Sequence, residues 1–163
     1  PDQSDALDAT TLSKRILNYF IANEWQRPVI DQILEEMPLT SLENIYLSGE
    51  QISEMHSRGH LIGSHSVNHP LFSKLEFDEQ KTEIDDSFQY LDDIVGTSKI
   101  RTFCYPYGGF HSFTSDTETL LSEAGCRFSF NVESRDVSSA DLTTRPQALP
   151  RYDCNLFPYG KAS

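Results

Sequence analysis

The sequence predicts an α/β fold in which parallel strands are covered by helices. Three observations carry that reading. A unit of helix, glycine and strand occurs three times between residues 48 and 132. Each helix of the unit shows apolar residues at helical spacing on one face. The turn from each helix to its strand is short and marked by a glycine, at Gly59, Gly96 and Gly125. Helices alternating with strands in this way bury their apolar stripes on a parallel sheet.

Taken in order, residues 1–9 are polar and predict no regular element. Thr10 to Met37 reads as helical, with Leu12, Ile16, Tyr19 and Phe20 on one face and Val29, Ile30, Ile33 and Leu34 on another. Pro28 is expected to start the second of these helices, where a missing N–H costs little, and Pro38 to end it. Residues 1–47 are therefore read as a helical insertion or outer layer, and 48–163 as the α/β portion. Trp25 and the other aromatics of this layer read as packing residues.

The repeating unit follows. Ser48 and Gln51 have the spacing of a capping box, Ile52 and Met55 face inward, Gly59 stops the helix, and residues 61–64 form the first strand. Asp78 is expected to cap the next helix, which carries Ile84, Phe88, Leu91 and Val95. Gly96 closes it and the strand runs from Ile100 to Cys104. Ser115 and Glu118 suggest another capping box, with Leu120, Leu121 and Ala124 inward, Gly125 as the stop, and a strand from Phe128 to Val132. After a polar stretch, residues 148–153 are read as the end of one more strand.

Composition bounds the function. At 163 residues the chain is one domain that buries about 70% of its unfolded surface. Its formal charge of −12, with Lys and Arg scattered, excludes a nucleic-acid groove. No apolar run is long enough to span a membrane, and no secretory signal is visible. The chain opens at Pro1 without an initiator methionine, so an upstream segment is expected. Cys104, Cys126 and Cys154 are odd in number and lack CxxC spacing. They read as free thiols in a reducing, cytoplasmic setting.

Two strings carry chemistry. His65 and His69 lie four residues apart in GHLIGSHSVNHPLF, where a strand gives way to a loop. Imidazoles at this spacing can hold one first-row metal ion, with Ser66 and Asn68 as outer hydrogen-bonding groups. About forty residues on comes RTFCYPYGGF, also at a strand end. In parallel α/β sheets, sites form at the carboxyl ends of strands.

The run GHLIGSHSVNHPLFSKL resembles the second motif of the NodB-type polysaccharide deacetylases, the family 4 carbohydrate esterases. RTFCYPYGGF resembles their third motif in a Tyr-Pro-Tyr-Gly variant, and LPRYDCNLFPYG resembles the closing segment of some members. The likeness covers about residues 47–132. It implies a partial or distorted (β/α) barrel and removal of acetyl groups from N-acetylated sugars. It further implies a divalent metal, most simply Zn2+, held by His65, His69 and an aspartate. By the same resemblance the backbone N–H of Tyr107 is the oxyanion donor, Tyr105, Pro106 and Gly108 shape the groove with His111 beside them, and Arg151 and Asp153 orient groups at the site.

The departures are as plain. The Thr-Phe-Asp-Asp string that supplies the family's catalytic base and third ligand does not occur, nor does its Leu-x-His string. Asp85-Asp86 and Asp92-Asp93 sit within a helix and read as solvated charge. Cys104 stands where the third motif often has arginine. We expect either an upstream segment or a second chain to complete the barrel, leaving an open side in this one. Two other expectations compete with the enzyme: a catalytically inactive glycan-binding or scaffold homologue, and a structural metal site, which would need four ligands. His56 and His60 read as structural or solvated.

Overall fold

A computed structural model describes residues 9–36 and 46–157 of the chain. The chain divides into two compact units, Pro1–Tyr46 and Leu47–Ser163. In the first, α1 (Ala9–Arg15) runs into a single π turn, Ile16–Phe20, and α2 spans Asn23–Glu36. Pro28 does not start α2 but lies inside it. The helix begins upstream, with Glu24 in a first turn whose exposed N–H groups favour an acidic residue. Within this unit Phe20 is 76% and Trp25 58% exposed among the described residues. Met37, Pro38 and the loop to residue 45 lie outside the described residues.

The second unit is built as the repeating pattern predicts, with local shifts. Helix α3 (Gly49–Ser57) is capped by Ser48, whose Oγ accepts from Gln51 N at 3.2 Å while Gln51 Oε1 accepts from Ser48 N at 2.8 Å. Helix α4 (Phe77–Val95) starts two residues earlier than expected. Glu76 is its cap residue, donating its N–H to Glu79 Oε2 at 2.9 Å, and Asp78 sits in the first turn. Helix α5 (Ser115–Glu123) is capped by Thr114 paired with Thr117, not by Ser115. Adjacent polar residues compete for a cap, and tertiary placement decides between them.

The strands β1 (Arg101–Cys104) and β2 (Cys126–Phe130) pair in parallel, with a register shift after Arg101. The strand expected over 61–64 is reduced to one parallel bridge from Ser64 to Phe103. Ser64 N donates to Thr102 O and Cys104 N to Ser64 O, both at 2.9 Å. Among the described residues this segment pairs with β1 alone. On the far side, Leu149 bridges Phe130, giving and receiving backbone bonds at 2.8 Å. Four chain segments thus lie side by side in sequence order, with α4, α5 and the short α6 (Ser139–Thr144) in the three crossovers. That is the winding of a partial (β/α) barrel.

One face of the sheet packs on the helices. Phe103, fully buried, meets Phe72, Phe88 and Tyr105 with ring centroids 5.8, 6.3 and 5.6 Å away. Ile84 and Phe88 of α4 and Leu120 and Leu121 of α5 complete the cluster. Each such side chain contributes about 1.5–3 kcal/mol by leaving water. Asp92 is more than a solvated charge: it pairs with Arg101 and ties α4 to β1.

Candidate active site

The loop after Ser64 carries both motif histidines. Ser66 and His69 have φ of 68° and 54°, left-handed values that a β-carbon disfavours. Non-glycine residues hold such angles only when surrounding bonds over-determine them. Here they do. His69 N donates to Ser66 Oγ at 3.0 Å, and Ser66 N to Ser64 Oγ at 3.3 Å. Ser64 Oγ in turn donates to Ser87 Oγ at 2.6 Å, and Ser87 Oγ to the Ile84 carbonyl at 2.8 Å. Between the two strained residues, Val67 and Asn68 are both bonded to Glu83. The face of α4 that carries Glu83 and Ser87 therefore braces the loop. Sequence reasoning missed both, although a serine inside the apolar stripe of α4 was a visible signal.

This folding brings the two rings together. His65 and His69 have centroids 4.9 Å apart and nearly perpendicular planes, and His69 meets the Tyr107 ring at 4.8 Å. The Cys104 carbonyl lies 2.7 Å from His65 Nδ1. A carbonyl only accepts, so Nδ1 is the donor of this bond, which leaves Nε2 as the nitrogen that a metal would take. The pKa of His69 is lowered, first by burial and then by the facing His65 ring. Both effects keep it neutral, the form that donates to a cation.

The second loop turns sharply beside them. Tyr107 has φ of 62° and Gly108 of 70°. A β-carbon on Gly108 would come within 2.4 Å of Val132 Cγ1, so the bend needs glycine for space as well as for angle. Val132 N donates to Gly108 O at 3.0 Å. Tyr105 and Pro106 lie beneath the loop instead of along a groove. Tyr105 is 1% exposed, stacks on Phe113 at 3.7 Å, and donates its hydroxyl to Gln147 O at 2.6 Å. Both hold the bend from below. His111 is exposed and packs over Gly109.

The sheet face opposite the core lines a cavity of about 450 Å³ formed by Leu61, Gly63, His65, Thr102, Cys104, Phe130 and Arg151 with Ser64 at its edge. Arg151 thus shares a space with His65. Its Nε is buried and has no hydrogen-bond partner among the described residues. Asp153 is placed otherwise: its Oδ1 accepts from Asn155 N at 2.9 Å and caps a short 3-10 turn, a bond that lowers its pKa. Among the described residues no cluster of three His, Cys, Asp or Glu side chains could hold a metal. The residues present fit two ligands of such a site and leave the third donor to a group outside them.

Comparison with known proteins bears on the family and the fold. The sequence model of the polysaccharide deacetylase family matches residues 15–129, a span that reaches further upstream than the two motifs. No curated protein matches the chain. Among solved structures, the Streptococcus pyogenes deacetylase PplD in complex with acetate superposes with a TM-score of 0.60 at 25% identity. The match covers 68% of this chain and 46% of that one, so the chain spans less than half the length of its structural neighbour.

Proposed function

The chain belongs to the polysaccharide deacetylase family, and from that premise we propose that it forms part of a metal-dependent hydrolase that removes N-acetyl groups from sugars of a surface glycan or its precursor. The observation that carries the reading is the meeting of His65, His69 and Tyr107, with the His65 proton fixed on Nδ1 by the Cys104 carbonyl. Nε2 of His65 and the His69 ring would hold a divalent cation, most simply Zn2+. When bound, that ion supplies polarisation of the amide carbonyl and of a water.

The remaining roles belong to this chain's own groups. The backbone N–H of Tyr107, at the left-handed bend, would be the donor to the oxyanion that develops on the carbonyl. The orphaned Nε–H of Arg151, beside His65, suits a carboxylate contributed from outside the described residues, which would serve as base and third ligand. Such a carboxylate, and the rest of the barrel, would come from an upstream segment or a second chain. The acetate in the neighbour's structure is the acid that this reaction releases. Cys104, Cys126 and Cys154 are unpaired, which supports a reducing, cytoplasmic setting.

Zinc titration by calorimetry tests the ligands. The chain should bind Zn2+, and His65→Ala should weaken binding at least tenfold; unchanged affinity would reject the assignment. A second reading, an inactive glycan-binding homologue, is favoured by the lack of a third ligand among the described residues. Acetate release from N-acetylglucosamine oligomers by the full-length protein would discard it.

A further inference from the structure

We propose that Glu83 is a positioning residue for the metal-binding histidines, acting through the backbone of the loop between them. This rests on the reading of His65 and His69 as ligands. Oε2 of Glu83 accepts from Val67 N at 2.9 Å and from Asn68 N at 3.0 Å, while Oε1 accepts from Asn68 Nδ2 at 2.6 Å. One carboxylate thus takes three N–H donors from two consecutive residues. Those residues separate Ser66 and His69, the pair held at positive φ.

The geometry makes the charge matter. The two backbone N–H groups point the same way because the chain on either side is left-handed, forming a small concavity that suits an anion. A carboxylate bonded to N–H groups makes stronger bonds than a neutral acceptor does. Its two oxygens are both occupied by donors from the loop, so Glu83 holds the loop in place of ligating a metal. Glu83 stands one turn before Ser87, which anchors the other end of the same loop through Ser64. Releasing the loop at Glu83 frees Ser66 and His69 to relax from their strained angles, and the His69 ring loses its fixed approach to His65.

The test uses the full chain and Zn2+ alone, with affinity measured by competition against a chromophoric chelator. Glu83→Gln keeps the shape but leaves the two backbone N–H groups a neutral amide oxygen in place of a carboxylate. Its affinity should fall about 10- to 100-fold, the range for lost outer contacts of a metal site. Asn68→Asp alone sets two carboxylates face to face and should weaken binding, while adding it to Glu83→Gln pairs a carboxylate with the glutamine amide, so the double variant should bind more tightly than Asn68→Asp alone. In metal-free protein, amide exchange at Val67 and Asn68 should rise at least tenfold in Glu83→Gln, and in separate samples loaded with Co2+ in place of Zn2+ the absorption spectrum of that variant should differ from the wild type. Wild-type chain that binds Zn2+ together with Glu83→Gln of equal affinity overturns this proposal alone. Failure of the wild type to bind Zn2+ overturns the ligand reading and this proposal with it. If Glu83→Gln does not fold, Asn68→Asp still decides: unaltered Zn2+ affinity there overturns the proposal.

Discussion

At His69, burial acts first and the facing His65 ring second, and both hold the imidazole below its ordinary value of 6.5. The sign of the linkage follows. The unfolded chain takes up this proton more readily than the folded one, so the stability tied to neutral His69 is complete above pH 6.5. It is lost as pH falls through the lower folded-state value. In an NMR titration of metal-free protein, the His69 midpoint should therefore lie below 6.5. In His65→Gln it should move back up, because the facing ring no longer opposes the charge on His69; a midpoint that stays put would show that His65 contributes nothing. The HxxxH spacing made the two rings legible in the sequence. The angles that aim them were not, because nothing in the residue names Ser66 or His69 announces a left-handed backbone. Tyr105 was misplaced for a related reason: a tyrosine in a motif string looks like a groove residue until its hydroxyl is found on a buried carbonyl.

Among the elements, the bend after β1 depends on one glycine. Gly108→Ala adds a β-carbon at φ of 70° and at 2.4 Å from Val132 Cγ1. The left-handed strain and the overlap together should cost about 2–4 kcal/mol, read as a lowered urea midpoint with an unchanged slope. Gly63 is comparable at the sheet edge, where a β-carbon would lie 2.3 Å from Thr102 Oγ1. Helices were the most legible elements, since each closes its own hydrogen bonds within four residues and ends where glycine takes a positive φ, as at Gly59, Gly96 and Gly125. Their first residues drifted: Glu76 and Thr114 took the caps expected at Asp78 and Ser115. The segment 61–64 reads as a strand in isolation, yet among the described residues it forms a single bridge, from Ser64 to Phe103.

For the molecule as a whole, Phe103 joins the helices to the sheet. It is fully buried and contacts three other aromatic rings. Phe103→Ala should cost about 3–5 kcal/mol, seen as a thermal midpoint lowered by many degrees. A small shift would mean that the cluster collapses around the void. On the other sheet face, the space shared by His65, Thr102, Cys104 and Arg151 is a cavity and not a packed interior. A closed barrel fills that space with side chains from further strands, and the chain spans 46% of its structural neighbour.

The sequence by itself determined the alternation of helix and strand, the glycine stops, the Ser48 cap and the two strings that hold His65, His69 and Tyr107. These depend on spacing within a few residues, where steric and hydrogen-bonding rules act locally. The tertiary structure alone decided that the Cys104 carbonyl, 39 residues from His65, fixes its tautomer. It alone placed Glu83 under the loop and left Arg151 Nε without a partner among the described residues. Those contacts join segments that no local rule relates, and they exist only once the parallel strands have set the ends of the sheet side by side.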